Sequence, residues 1–264
     1  MKRLLSSAVL IFCMLVNFTV YSQSSNTYLS VEEKICELKN LGIIHCYEDG
    51  EFYPEKNITR AEFCKMISVI QGGENNFDIQ NDFSDVPTEH WANRYITFCF
   101  NKGLINGIIQ PEKIFFVDVD ENGNETERTE VEFMDGVAEI HGISISEPQK
   151  GMFAPDQFIM YQDALKILVN TLGYEEMAKP RGDYPNGYVS VAKEIGIVNN
   201  NFTNSNYLTR ENAADIVYNS LFVPLVIRKD LDDENGKRTE YIIADGKKGI
   251  GLQTLYGKFF NPSK

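Results

Sequence analysis

Two short stretches, Ile58-Thr59-Arg60-Ala61-Glu62-Phe63 and Leu208-Thr209-Arg210-Glu211-Asn212, place a threonine directly before an arginine. Thr59 and Glu62 have the spacing of a capping box, in which each side chain satisfies a backbone donor at a helix start. Thr209 can cap in the same way, although Asn212 is a poorer return partner than Glu62. Arg60 and Arg210 are thereby set in the first turn of a helix, where free N–H groups and the positive dipole end favour negative charge. A guanidinium there can grip a carboxylate bidentately, a contact of about 1.5–3 kcal/mol. Two such sites engaging one ligand would gain on the order of 10² in avidity. The bland alternative is a solvated arginine paired with a neighbouring acid such as Glu62 or Glu211.

The elements that must carry these residues recur along the chain. Val31 to Leu41 predicts an amphipathic helix stopped by Gly42, and a turn at Glu48-Asp49-Gly50 leads through Phe52 and Pro54 to the Thr59 cap. Phe63, Met66, Ile67 and Ile70 then follow the i, i+3, i+4, i+7 rule up to Gly72 and Gly73. The unit is a helix, a turn-bearing loop and a capped helix. It restarts at Phe83, with Asp85 and Pro87 in a turn, Trp91, Tyr95, Phe98 and Cys99 on one helical face, and Gly103 as the stop. Leu104-Ile105 lies on Ile43-Ile44, and Trp91 falls opposite Ser30. The second helix of this unit is delayed by an insertion, after which Phe153-Ala154-Pro155 matches Phe52-Tyr53-Pro54 and Ile159 to Asp163 matches Ile58 to Glu62. A third unit starts at Tyr184, which aligns with Trp91, and continues through Thr209-Arg210 to an apolar stripe at Ala213, Ile216, Val217, Ser220 and Leu221.

Within the insertion, Lys113–Asp120 and Arg128–Phe133 alternate around Glu121-Asn122-Gly123-Asn124, a hairpin signal. Asp118, Asp120, Asn122 and Gly123 resemble the start of a calcium loop, but Thr129 stands where a bidentate Glu is required, so a solvated hairpin is the reading and no metal is expected. A second hairpin is predicted around Asp233-Glu234-Asn235-Gly236, followed by a short Gly-rich tail.

Charge and composition narrow the function classes. The 264-residue chain has a formal net charge of −13, which disfavours nucleic acid and anionic bilayers as partners. Residues 1–22, with Lys2 and Arg3 before the apolar run Leu4–Val16, follow the plan of a secretory signal peptide; an uncleaved anchor is the alternative, and no other segment is apolar enough to span a bilayer. Cys36, Cys46, Cys64 and Cys99 would remain after cleavage. They form no close-spaced framework and read as free thiols, with Cys36, Cys64 and Cys99 as small hydrophobes in helices. His45, His90 and His141 are scattered, and neither a nucleophile elbow nor a phosphate-cradling glycine loop occurs. No enzyme activity and no cofactor are expected.

FSDV, the Trp91 helix ending in KGLING, EDGEFYPEKNITRAEF and YLTRENAADIVYNSL together resemble the S-layer homology (SLH) repeat of bacterial cell-surface proteins. The resemblance implies a mainly α fold, three helix-loop-helix repeats in a pseudo-threefold bundle, with β-hairpins added by the insertion and the C-terminal segment. Repeat 1 would span 28–73, repeat 2 83–174 with the inserted hairpin segment at about 110–150, repeat 3 184–222, and the extended or hairpin segment 223–264. It further implies non-covalent binding of a secondary cell-wall polysaccharide, an anionic and often pyruvylated sugar, in grooves between repeats of a secreted, wall-located protein. Arg60, Arg210, Trp91, Tyr184, Asp85, Gly107, Thr59, Glu62 and Thr209 are the candidate ligand-binding residues. The arginines would grip the anion, and Trp91 or Tyr184 would present a ring face to the sugar; Trp91 can also serve as a core anchor. Thr59, Thr209 and Glu62 would position the arginines, and Asp85 would hold a turn. Trp91 and the loop at Gly107 would form one groove wall completed by Arg60 or Arg210 of a neighbour. The sequence departs from the family pattern at Tyr28-Leu29-Ser30-Val31, which lacks the FxDV and Trp opening, at Tyr161 in an arginine position, and at Tyr184 in the tryptophan position. Those departures motivate the alternative, a surface protein-assembly module that uses the fold without binding glycan, with other surface-layer proteins as partners.

Overall fold

Ser30 opens the first helix, α1 (Val31–Asn40), by a full capping box: its hydroxyl accepts from Glu33 N–H at 3.3 Å, and its own N–H donates to Glu33 Oε2 at 2.7 Å. The computed structural model describes residues 29–75, 78–81, 83–107, 115–119, 125–129, 151–199, 207–233, 236–244 and 253–260. The signal-peptide residues and most of the insertion lie outside the described residues. After α1 come α2 (Arg60–Ile70) and α3 (Asn93–Asn101), then β1 (Phe115–Val119) and β2 (Glu125–Thr129). α4 (Tyr161–Thr171), the short α5 (Glu175–Ala178), α6 (Asn186–Glu194) and α7 (Arg210–Ser220) follow, and β3 (Val226–Asp233) and β4 (Gly236–Ile243) form a second hairpin. The fold is mainly α with β-hairpin additions. Gly42, Gly103 and Gly196 follow α1, α3 and α6 at φ 72°, 69° and 80°. The left-handed turn needed after each helix selects glycine at all three places.

A closed cycle of three backbone hydrogen bonds sets the architecture. Ile58 N–H donates to Leu208 O at 2.9 Å, Leu208 N–H to Ile159 O at 3.0 Å, and Ile159 N–H to Ile58 O at 3.1 Å. These three buried residues directly precede the caps of α2, α4 and α7, so the cycle gathers the N-terminal ends of the second helices around a pseudo-threefold axis. Asn57–Thr209, Thr59–Phe158 and Met160–Tyr207 form antiparallel bridges around it. Each outer helix then packs on a central helix of the adjoining unit: α3 on α2, α6 on α4 and α1 on α7. The last contact joins the first unit to the third and closes the ring. Ile67, Leu168 and Val217, at one equivalent position of the central helices, are all fully buried. Each contributes about 1.5–3 kcal/mol by leaving water.

The first hairpin is antiparallel, with Phe115 opposite Thr129 and Val119 opposite Glu125, so its second strand begins three residues before Arg128. The β3–β4 ladder runs from Val226–Ile243 to Asp233–Gly236, a hairpin where one is predicted around 233–236. The tail is more structured than its glycines suggest. Tyr256–Phe260 forms a single wide helical turn, Tyr256 N–H donates to Leu221 O at 2.9 Å, and the Tyr256 ring lies 5.2 Å from that of Phe222. The four described cysteines are free thiols. Cys64 and Cys99 are buried between α2 and α3, whereas Cys36 is exposed because its position in α1 faces away from α7.

Asp85 ties the second unit together. Its two carboxylate oxygens accept from Phe153 N–H at 2.8 Å and Ala154 N–H at 2.7 Å, across the insertion, where Ala154 has a positive φ of 56°. Replacing Asp85 with Ala leaves both donors without a partner and is expected to lower stability by about 2–3 kcal/mol, read as a reduced urea midpoint at unchanged m.

Candidate functional site

The two arginines do not point their first turns at solvent. Arg60 N–H donates to Gln157 O at 2.9 Å and Ala61 N–H to Pro155 O at 3.0 Å; Arg210 N–H donates to Lys56 O at 2.8 Å and Glu211 N–H to Pro54 O at 2.9 Å. The next donors are held by the caps: Thr59 Oγ1 accepts from Glu62 N–H at 3.2 Å, and Thr209 Oγ1 from Asn212 N–H at 3.2 Å. The helix ends are thus filled by the loop of the neighbouring unit, and an anion would have to be met by side chains.

The guanidinium groups reach the same neighbouring loops. Arg210, only 9% exposed, donates from Nε to Phe52 O and from Nη2 to His45 O, both at 2.8 Å, and stands 3.8 Å from Glu62 Oε1. It lies between the rings of Tyr47 and Phe52, at 4.5 and 4.6 Å from their centroids. Arg60 repeats the arrangement one unit on, with Nε on Phe153 O at 2.9 Å, Nη2 at 3.5 Å from Asn106 O, and the guanidinium 4.5 Å from the Phe153 centroid. Each arginine is therefore a clamp between units before it can be anything else.

Beside Arg210 opens a cavity of about 170 Å³, lined among others by Glu62, Lys65, Met66, His45, Tyr47 and Trp91. Trp91 precedes the first turn of α3, is 54% exposed and stacks on His90 at 5.9 Å, so it is a ring face on this groove and not a core anchor. Glu62 is committed on both sides, accepting from Thr59 N–H at 2.9 Å through Oε2 and facing Arg210 through Oε1. Lys65, one turn along α2, has no ion-pair partner among the described residues. Partial burial, then the Lys65 charge, hold the His45 imidazole below its usual range, with Glu74 opposing. Replacing Lys65 with Met is expected to raise the His45 pKa, which an NMR titration of the imidazole would record.

The sequence-derived residues separate into two grooves. Trp91, Glu62 and Thr59 gather with Arg210, whereas Gly107 adjoins Asn106 and so accompanies Arg60; a Cβ on Gly107 would come within 3.0 Å of Met152 O and of the Phe83 ring. Tyr184 belongs with α4: its hydroxyl donates to Asp163 Oδ1 at 2.6 Å and accepts from Gln162 Nε2 at 2.7 Å, and Lys166 Nζ lies 5.2 Å from its ring centroid. Burial and the Asp163 hydrogen bond push its phenol up to about 12. Asp85 stays with the 153–154 loop. Lys65 was missed by sequence reasoning, although its signal was present: lysine recurs three residues after the aligned acids Glu62 and Asp163, at Lys65 and Lys166. Among the described residues no group of three or more His, Cys, Asp or Glu is placed to hold a metal ion, and no helix is long and apolar enough to cross a membrane.

Comparison with known proteins defines the class. Residues 30–64, which cover α1, the Phe52 loop and the start of α2, match the S-layer homology domain. The match falls on the first helix-loop-helix unit of the chain. The chain is similar to the Middle cell wall protein of Brevibacillus brevis, 24% identical over 199 residues, which is 74% of this chain and 15% of that protein. It is also similar to the Surface layer protein of Brevibacillus choshinensis, 23% identical over 64% of this chain and 12% of that protein. With the Cellulosome-anchoring protein of Acetivibrio thermocellus it shares 37% identity over 73 residues, 26% of this chain and 16% of that protein. The chain spans 20% or less of the length of these relatives.

Proposed function

We propose that this is an exported protein of a bacterial cell surface, attached non-covalently to the wall by S-layer homology units, of which the second and third are divergent copies of the first. Its ligand is a secondary cell-wall polysaccharide bearing an anionic sugar. The observation that carries this reading is the meeting in one groove of an exposed Trp91 ring, the Arg210 guanidinium and Lys65, which has no ion-pair partner among the described residues. The ring supplies an apolar face for a pyranose, and Lys65 supplies a charge-assisted contact for its carboxylate. Arg210 holds the groove wall and lends positive potential to it. Attachment needs no bond making or breaking, and the groove is built for binding.

Trp91 is the sole tryptophan of the chain, so its emission reports on this groove alone. Titration with solubilised wall polysaccharide is expected to shift the emission to shorter wavelength and to saturate; an unchanged spectrum at saturating polymer would contradict the proposal. The alternative, an assembly module for other surface proteins, draws on the exposed aromatic pair Phe158 and Tyr207, whose rings meet edge to face at 5.8 Å beside the axis. It predicts attachment that depends on surface proteins and leaves Trp91 emission untouched by polysaccharide.

A further inference from the structure

The ring offers three quasi-equivalent grooves, each between a central helix and the outer helix packed on it. Four positions can be followed around them. On the central helix the residue facing the groove is Lys65 in α2, Lys166 in α4 and Asp215 in α7. On the outer helix the equivalent position holds Tyr95 in α3, Tyr188 in α6 and Lys34 in α1. Before the outer helix stands Trp91, Tyr184 or Ser30. The arm from the neighbouring unit is Arg210, Arg60 or Tyr161.

The first two grooves each bring a central-helix lysine to an aromatic ring, and in the first Lys65 and Trp91 line one cavity. Lys166 Nζ lies 5.2 Å from the Tyr184 centroid and 5.8 Å from that of Tyr188, so a cation on the central helix faces aromatic rings on the outer one. Among the described residues neither Lys65 nor Lys166 is held in an ion pair, and each can meet an incoming carboxylate.

The third groove has the signs reversed. Asp215 replaces the lysine, and Lys34, from the outer helix, donates to Asp215 Oδ1 at 2.5 Å and to Asn219 Oδ1 at 2.9 Å. Asn219 is fixed in turn, its Nδ2 donating to Ile197 O at 2.9 Å. Ser30 offers no ring, and its hydroxyl is committed to capping α1. Tyr161 is buried in place of the arginine, and burial followed by the Asp215 charge holds its phenol well above the usual range. A carboxylate entering here would confront Asp215 and compete with it for Lys34, a like-charge juxtaposition that rejects the ligand.

We infer that the ring is divalent: the Lys65–Trp91 and Lys166–Tyr184 grooves each take one carboxylate-bearing sugar, while the Lys34–Asp215 ion pair closes the third groove and latches the first unit to the last. The ligand class rests on the wall-polysaccharide reading; the latch does not. Two sites on one rigid ring give a repeating polymer two simultaneous holds, which raises affinity through effective concentration.

The test is an NMR titration of the 15N-labelled mature chain with the methyl glycoside of a 4,6-pyruvylated hexopyranose, alongside thermal melts of the variants. Two saturable sites are expected, with shifts centred on Lys65 and Trp91 and on Lys166 and Tyr184, and none at Lys34 or Asp215. Lys65→Met and Lys166→Met should each abolish one site, leave the melting temperature unchanged, and weaken binding of intact polysaccharide by ten-fold or more. Lys34→Met should leave both sites intact and lower the melting temperature, with Lys34→Arg restoring it. Three equivalent sites, shifts at Lys34 and Asp215, or two sites persisting in Lys166→Met would overturn the divalency. An unaltered melt of Lys34→Met would overturn the latch. Absence of binding at every groove would instead defeat the polysaccharide reading, and the divalency with it.

Discussion

Arg210→Ala is expected to destabilise the ring by about 3 kcal/mol, because it leaves the Phe52 and His45 carbonyls without their charged donor. The loss also opens the stack between Tyr47 and Phe52 and strips Glu62 of its facing cation. For a domain of this size that corresponds to roughly 10 °C in Tm, measurable by thermal melts. Arg210→Lys should recover little, since an ammonium lacks the planar fork that reaches two carbonyls at once. Arg60→Ala should be milder, because its second contact, to Asn106 O, is long at 3.5 Å. Any loss of wall binding by an arginine variant must accordingly be read against its melting temperature.

Binding itself is better tested on residues that hold nothing up. Trp91→Ala and Lys65→Met are each expected to weaken binding of a carboxylate-bearing sugar at the first groove by about ten- to a hundred-fold, the scale of losing one desolvated aromatic anchor or one charge-assisted contact. Both should leave the unfolding free energy within about 0.5 kcal/mol of the parent, because Trp91 is exposed and Lys65 has no ion pair to lose among the described residues. Glu62→Gln tests the electrostatics in the opposite sense: removing a negative charge from the groove wall should tighten binding modestly while loosening the α2 cap.

Much of this was legible in the residues because the determinants are local. The capping pairs at Thr59 and Thr209 and the helix-ending glycines Gly42, Gly103 and Gly196 fix helix ends through contacts a few residues apart, and those ends recur three times. The β3–β4 hairpin was readable for the same reason, whereas the hold of Asp85 on Phe153 and Ala154, across the insertion, was not. What was not legible depends on contacts between units. The first-turn N–H groups, free in an isolated helix, are met by Gln157, Pro155, Lys56 and Pro54, residues about 90 to 160 positions from their partners in one direction or the other. The assignment of Trp91 to the Arg210 groove and of Gly107 to the Arg60 groove likewise follows from the cyclic order of the units. The exposure of Cys36 and the reversed charges at Lys34 and Asp215 become visible only when α1 is seen to pack on α7.

The central claim, that cationic grooves of this ring hold the wall polysaccharide, is tested most directly by sedimentation with purified wall sacculi. The chain without residues 1–22 should pellet with sacculi that retain their polysaccharide and stay in solution once that polymer has been chemically removed, and Lys65→Met with Lys166→Met together should remain in solution in both cases while melting like the parent. Equal pelleting of the parent chain before and after polymer removal, or of the double lysine variant with intact sacculi, would contradict it.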